Sequence, residues 1–282
     1  MGSAVSAGSS SGWASGDDSR PDRVILGLVT YILAKEWDVP TIIEHCAATG
    51  FEAAELRTTH AHRVEVTLTP EERKQVKAQF GDSPVKLVSL GTACEYDSPD
   101  ADELAKQMQE SREFIDLAAD LGCVGIKVRP NHLHEDKGIA VDTTLQQIGD
   151  SLRELGEYGE PKKIQLWLEV HGRGTSHVPH CKTIMEAANH PMVGLTWNCN
   201  KGDIVDGSVR ENWMLVRKWV RCLHIHDLWD EDAYPWTELF QLIKETGWKG
   251  YALWERGGQS DDPRALMSKQ KATFDELCKL LK

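Results

Sequence analysis

The chain has 282 residues, enough for one large domain or two small ones. Hydrophobic residues make up 40 % and charged residues 27 %, a balance that can bury a full core. The formal net charge of −12 argues against a nucleic-acid groove or an anionic membrane surface as the natural partner, since both need clustered Lys and Arg. No apolar run approaches the roughly 20 residues that span a bilayer.

Residues 1–22 are a Ser/Gly/Ala tail with neither the apolar centre nor the basic start of an intact export signal. The tail reads as a disordered leader, the remnant of a removed export signal, or an artificial addition, and stands apart from a domain over residues 23–282. Seven cysteines, odd in number and irregularly spaced, contain no C-x-x-C. That usage fits reduced thiols and a cytoplasmic location better than a disulfide frame. Most read as packing residues, with Cys199 and Cys222 near strand ends where a thiol can line a pocket.

From Arg23 onward, short apolar runs alternate with longer amphipathic ones. Residues 23–31 (RVILGLVTY) form the first strand, and a helix over 39–49 stops at Gly50. Residues 53–57 (AAELR) form the second strand. Thr69 caps the next helix with Pro70 at its first position. Strands at 85–90 and 124–129 (VGIKVR) flank a long helix over 98–121, closed by Gly122. A helix over 142–158 precedes the fifth strand, 164–170, and a helix over 179–188 follows it. The sixth strand is 193–198 (VGLTWN) and the seventh 220–226 (VRCLHIH), with a helix over 208–219 between them. A helix over 236–245, an eighth strand at 250–255 (GYALWE) and a helix over 263–281 complete the chain. Eight strand-then-helix units in about 260 residues predict a parallel sheet closed into a single-domain (β/α)8 TIM barrel. An open doubly wound sheet is the alternative, but no G-x-G-x-x-G or phosphate loop follows any strand.

The C-terminal strand ends, where such a barrel does its chemistry, are polar. The second carries Glu55 and Arg57, and the fourth Lys127 and Arg129. On the fifth, alternation sets Trp167, Glu169 and His171 on one face. The sixth ends at Asn198, with Asn200 beyond it. The seventh carries His224 and His226 before Asp227, and the eighth ends at Glu255. Glu, Asn, His and Glu on four consecutive strands make a ligand set for one divalent ion. Oxygen donors with one imidazole suit Mn2+, Mg2+ or Co2+, and Zn2+ also fits. A polar rim of ordinary ion pairs is the plain alternative. A separate zinc reading would use His171, Cys181 and the His177/His180 pair, whose spacing does not match a helical His-Glu-x-x-His.

These pieces (FEAAELR, LWLEVHG, VGLTWN, LHIHD, GYALWE) resemble the xylose-isomerase-like superfamily, the sugar-phosphate isomerase/epimerase group of TIM barrels, over nearly the whole chain from Arg23. The resemblance implies a catalytic divalent metal, Mn2+ foremost, held by Glu169, Asn198, His224 and Glu255. It also implies that Glu169 and Glu255 move the proton α to a sugar carbonyl through an enediolate. Two departures stand out. The sixth-strand ligand is usually Asp, so Asn198 removes one negative charge and leaves two carboxylates against the ion. This predicts weaker metal retention and a more Lewis-acidic ion. The seventh strand commonly reads His-x-Lys-Asp, and here His226 replaces the lysine. A neutral imidazole there can shuttle a proton near pH 7, or it can simply bond Asp227 or a loop carbonyl.

The pattern TWN…HIHDLW is similar to a branch whose relatives eliminate the aglycone from 3-keto-glycosides and C-glycosides. The expectation is therefore a metal-dependent isomerase or epimerase, with a lyase as the alternative. A non-catalytic sugar-binding barrel, a partner-dependent subunit or homo-oligomer, and a DNA-repair endonuclease of the same superfamily are further readings. The charge speaks against the last. His171, Arg129, Lys127, Arg57 and Glu55 are candidate substrate contacts, although Glu55 and Arg57 also read as an ion pair. Trp197 and Trp254 are candidate stacking surfaces for a sugar, with Trp229 close to the same strand ends. His60 and His62, in the loop after the second strand, read as pocket-lining or exposed loop residues. The missing phosphate loop favours an unphosphorylated sugar or glycoside as substrate.

Overall fold

The computed structural model describes residues 21–281, so the expected tail, apart from Pro21 and Asp22, lies outside the described residues. Eight parallel strands close into one barrel in chain order. They are β1 (Val24–Val29), β2 (Ala53–Arg57), β3 (Lys86–Glu95), β4 (Gly125–Arg129), β5 (Gln165–Glu169), β6 (Val193–Trp197), β7 (Val220–Ile225) and β8 (Gly250–Trp254). Eight helices cover the outside: α1 (Val39–Thr49), α2 (Pro70–Gly81), α3 (Ala101–Leu121), α4 (Val141–Gly159), α5 (Val178–Ala188), α6 (Arg210–Val216), α7 (Trp236–Thr246) and α8 (Pro263–Cys278). No described helix is long and apolar enough to cross a membrane.

Local chemistry sets the helix ends. Asp38 accepts the Thr41 amide to start α1, and Gly50 closes it with φ 76°. Thr69 and Glu72 exchange side-chain and backbone bonds in a capping box before α2. Two boundaries differ instructively from the sequence reading. β3 runs on to Glu95 rather than stopping at Leu90, because Gly91 remains in the ladder beside Arg57 and Lys127. α6 is one short segment, Arg210–Val216, instead of 208–219.

Alternation along each strand divides the apolar residues into two sets. One faces the helices and forms the large outer core. The other fills the barrel interior with Val29, Ala53, Val88, Val124, Trp167, Cys222, Tyr251 and Leu253. Gly27 belongs to this plug, since a Cβ there would stand 2.5 Å from Leu253 Cδ2 and 2.7 Å from Ala53 Cβ. Two residues beyond Trp167, Cys222, Leu253 and Ala53 come Glu169, His224, Glu255 and Glu55. The interior thus changes from apolar to charged within one strand repeat.

Candidate metal and sugar site

The charged layer gathers around His224. Its Nδ1 lies 3.7 Å from Glu169 Oε1 and 3.7 Å from Glu255 Oε2. Its Nε2 lies 3.2 Å from Glu55 Oε1, an ion-pair contact rather than an aligned hydrogen bond. Glu169 Oε2 accepts from Lys127 Nζ at 2.8 Å, and this lysine is only 2 % exposed. Burial opposes the charge on Glu169, but Lys127 and His224 outweigh it and hold the carboxyl well below the usual range. For Glu55, burial is likewise outweighed, by His224 and Lys127. Burial pulls the His224 imidazole down, yet Glu55, Glu169 and Glu255 together raise it to about 10.

Asn198, at the end of β6, completes the arc. Its Nδ2 sits 3.5 Å from Asn200 Oδ1, whose own Nδ2 donates to the Val170 carbonyl at 2.6 Å. Asn198 Oδ1 is left buried with no partner. Among the described residues, Glu169, His224 and Glu255 form the one group of His, Cys, Asp and Glu side chains near enough to share an ion, with donor atoms within 4.8 Å of one another. Two carboxylates, one imidazole and an orphaned amide oxygen suit a divalent cation. Charge points the same way: with His224 protonated, as its raised value implies, the three carboxylates and Lys127 leave −1, and an ion taking the place of the imidazole proton would face −2. Glu55 and Lys127, which the sequence does not place on the expected ligands, add opposite charges against His224 and Glu169.

The zinc reading through the fifth-strand loop does not assemble. His180 Nδ1 is bonded to the Gly174 carbonyl, and the buried Cys181 thiol donates to the Thr175 carbonyl. Burial pushes the Cys181 thiol up to about 12 and that of Cys222 well above its ordinary value. Cys222 is part of the apolar plug.

A cavity of about 430 Å3 opens beside Glu255. His226, Asp227, Asp230, Tyr234, Trp236 and Arg256 are among its lining residues, and Cys199, Asn200 and Lys201 border it from the β6 loop. The His226 Nδ1 lies 3.2 Å from the Glu255 carbonyl. Because a carbonyl only accepts, that nitrogen carries a hydrogen, which leaves Nε2 for other partners. Gln270 of α8 braces the segment, donating to the His226 carbonyl and accepting the Leu228 amide. Asp203, fully buried behind the β6 loop, accepts the Asn200 amide at 2.8 Å and the Tyr234 hydroxyl at 3.4 Å. Burial without a cation raises its carboxyl to about 7.

The remaining candidates divide. His171 Nδ1 bonds Asn131 Oδ1 at 3.0 Å and is half-buried; burial, then Lys127 and Arg129, lower it despite Glu169. Arg129 pairs with Glu95 at 2.8 Å, a partner hidden from the sequence by the unexpected length of β3. Arg57 lies over the Tyr31 ring at 4.9 Å, and Glu55 pairs with His224 and Ser89 rather than with Arg57. Glu55 and Lys127, expected to touch substrate, are turned to protein partners. Trp197 and Trp254 are corrections to the expected sugar platforms. Both are fully buried on the helix-facing side, one step out of phase with the interior set. Trp197 Nε1 donates to Tyr234 Oη and its ring packs against Trp213. Trp254 Nε1 donates to Asp227 and its ring packs against Trp229 and Phe51. His62 is also no surface residue: it is buried, with Nε2 on the Arg57 carbonyl and Nδ1 accepting the Val64 amide.

The closed eightfold barrel and its cluster define a class of protein, a TIM barrel with carboxylates and an imidazole gathered at the C-terminal mouth. The family model described as xylose isomerase-like TIM barrel matches residues 43–279, and the chain belongs to that family. A comparison with curated proteins finds no match. Among solved structures, the chain is similar to the apo form of 3-keto-D-glucoside 4-epimerase from E. coli, with TM-score 0.73, 13 % identity, and coverage of 91 % of this chain and 100 % of that one. It is similar to D-psicose 3-epimerase with D-tagatose from Clostridium cellulolyticum H10, with TM-score 0.76, 16 % identity and coverage of 92 % and 99 %. A xylose isomerase-like TIM barrel protein from Mycobacterium smegmatis in complex with magnesium gives TM-score 0.63, 17 % identity and coverage of 86 % and 89 %. At these identities the likeness is one of fold.

Proposed function

We propose that the chain is a divalent-metal-dependent enzyme that moves the proton α to a sugar carbonyl, as an epimerase or isomerase. One observation carries the reading: Glu169 and Glu255 face His224 Nδ1 at equal distance, and Asn198 Oδ1 is buried and unpaired at the end of β6, the strand between β5 and β7. Glu169, Asn198, His224 and Glu255 would hold the ion, with Mn2+ preferred and Mg2+, Co2+ or Zn2+ able to fit the same donors. Bound there, it supplies Lewis acidity to a sugar carbonyl and charge compensation for the enediolate.

The chain's own groups handle the proton. Lys127 keeps Glu169 ionised, so this carboxylate is ready to accept the α proton and to release it again. For epimerisation Glu255 takes a proton from a neighbouring sugar hydroxyl or water and returns it to the other face of the same carbon, while Glu169 passes its proton back to that oxygen. His226, through its open Nε2, takes up and returns the proton of a neighbouring sugar hydroxyl. His171 and Arg129, at the ends of β5 and β4, offer donors to further hydroxyls. The cavity wall carries Lys201 and Arg256 against Asp227, Asp230 and Glu255, a formal charge of −1. That balance favours a neutral sugar or glycoside over a phosphorylated one.

A second reading is favoured by the cavity itself. It adjoins Glu255 and His226 and has room for a substituent beside the reacting sugar. With a 3-keto-glycoside, loss of the α proton followed by departure of the β substituent would release the aglycone, with His226 first taking a proton at Nε2 from a neighbouring hydroxyl or water and then giving it to the leaving oxygen.

The test is incubation of Mn2+-loaded protein with free ketoses and, separately, with 3-keto-glycosides in D2O. Deuterium entering the α carbon with epimerised product is expected. Aglycone release without epimerisation would select the lyase. If neither exchange nor release occurs while sugars still bind, the protein is a binding barrel and the reading fails.

A further inference from the structure

Glu55 has no part in the ligand set, yet the structure gives it a built site. It is 0 % exposed, as is His224. One of its oxygens, Oε2, accepts from Ser89 Oγ at 2.6 Å, which fixes the carboxylate plane. The other, Oε1, lies 3.2 Å from His224 Nε2. The neighbouring strand is hollowed out to admit it: a Cβ on Gly91 would stand 2.8 Å from Oε1, closer than real Cβ contacts allow. Three strands thus cooperate to keep one carboxylate against one edge of one imidazole.

A neutral imidazole has a single N–H. A carboxylate 3.2 Å from Nε2, though not aligned as a hydrogen bond, favours that hydrogen on Nε2 by its charge and leaves Nδ1, 3.7 Å from both Glu169 and Glu255, to a cation. Without the carboxylate, the hydrogen can reside on Nδ1, where it would exclude a cation. Outer carboxylates of this type fix ring orientation and strengthen histidine as a ligand. We propose that Glu55, anchored by Ser89 and admitted by Gly91, is a positioning residue that holds His224 in its cation-binding tautomer. The proposal rests on the metal-dependent reading above. It removes Glu55 from the substrate contacts and assigns it to metal affinity instead.

The experiment measures Mn2+ affinity by chelator competition on the full chain, for the native protein and for Glu55→Gln, Glu55→Ala and Ser89→Ala. A loss toward one hundredfold is expected for Glu55→Ala, about tenfold for Glu55→Gln, and a smaller loss for Ser89→Ala. Glu55→Gln is isosteric and keeps an acceptor for Nε2–H, so it serves if the alanine variant does not fold. In Zn2+-loaded protein, the 15N signals of His224 should show the hydrogen on Nε2 in the native chain. If the Glu55 variants bind Mn2+ as the native chain does, the proposal falls and the metal-dependent reading stands. An unchanged affinity with raised KM would move Glu55 to the substrate, and an unchanged affinity with lowered Tm would make it purely structural. A hydrogen on Nδ1 also overturns it. If the native chain itself binds no divalent ion, both the proposal and the reading beneath it fail.

Discussion

The barrel interior holds two layers that differ by one strand repeat and in almost nothing else geometric. The lower layer packs Trp167, Cys222, Tyr251 and Leu253 into a plug with no formal charge. The upper layer, two residues further along several of the same strands, holds Glu55, Lys127, Glu169, His224 and Glu255, buried or nearly so. Close packing dominates the lower layer, whose polar edges are met locally by Gln165 on Trp167 Nε1 and Lys86 on the Tyr251 hydroxyl. In the upper layer each charge needs an opposite one within reach, since burying an isolated ion costs far more than a packing defect. The contrast separates the side chains that hold the barrel shut from those that can act on a substrate.

Four changes would break or sharpen that division. The largest effect is expected in the upper layer. Glu169→Gln or Glu255→Gln should lower α-deuterium exchange by about 10²–10⁴-fold, the usual share of a proton-transferring side chain. Unchanged exchange in both would remove these residues from the chemistry. In the lower layer Trp167→Ala should cost about 3–5 kcal/mol of stability, measured by urea unfolding. A cost below about 1 kcal/mol would show that the plug does not support the mouth.

The third change asks what happens to a buried carboxyl that lacks a cation. Glu169 has Lys127 and stays ionised, whereas Asp203 has none and rises to about 7. Its folded value lies above that of an unfolded aspartate, about 3.9. Its contribution is therefore fully present below about pH 4 and is lost as the pH rises through about 7. Asp203→Asn keeps an acceptor for the Asn200 amide and removes that slope. Relative to the native chain, the variant should gain up to about 4 kcal/mol between those limits, at about 1.4 kcal/mol per pKa unit. A stability difference that does not vary with pH would contradict this. The smallest effect is expected at the ligand arc, where Asn198→Asp should tighten metal retention by less than about tenfold, about 1.4 kcal/mol. The added charge attracts the ion, but the second carboxylate oxygen would face Asn200 Oδ1 where Nδ2 now lies. Weaker retention would mean that the amide geometry outweighs the charge.

Most of the fold was legible in the sequence, because β-strands and helices announce themselves by period and by their stops. Gly50, Gly122 and the Thr69-Pro70 start were read correctly for that reason. The placing of Glu169, His224 and Glu255 at the mouth was legible too, since alternation fixes which face a residue takes. The same rule could have removed Trp197 and Trp254. Each is adjacent in sequence to a ligand candidate, which puts it on the opposite face. The link from Glu55 to His224 was not legible. It joins β2 to β7 across the barrel, 169 positions apart in sequence, and no local pattern encodes that distance. The Arg129–Glu95 pair was hidden by Gly91, which has the composition of a strand stop but remains in the ladder.

The partition of these charges along the chain also bears on how the protein is made. Glu55 and Lys127 lie in the first four strands, and every residue proposed to hold the ion lies in or just beyond the last four. A chain synthesised from its N-terminus would present a carboxylate and an ammonium at positions destined for burial before His224 and Glu169 exist to receive them. A first half-barrel alone would have only the attraction between Glu55 and Lys127 to set against their burial, without the hydrogen bond to Glu169 or the contact with His224. The second half therefore supplies both the ligands and the counter-charges that let the first half close. Splitting the barrel between α4 and β5 should yield fragments that gain a fixed structure only on meeting.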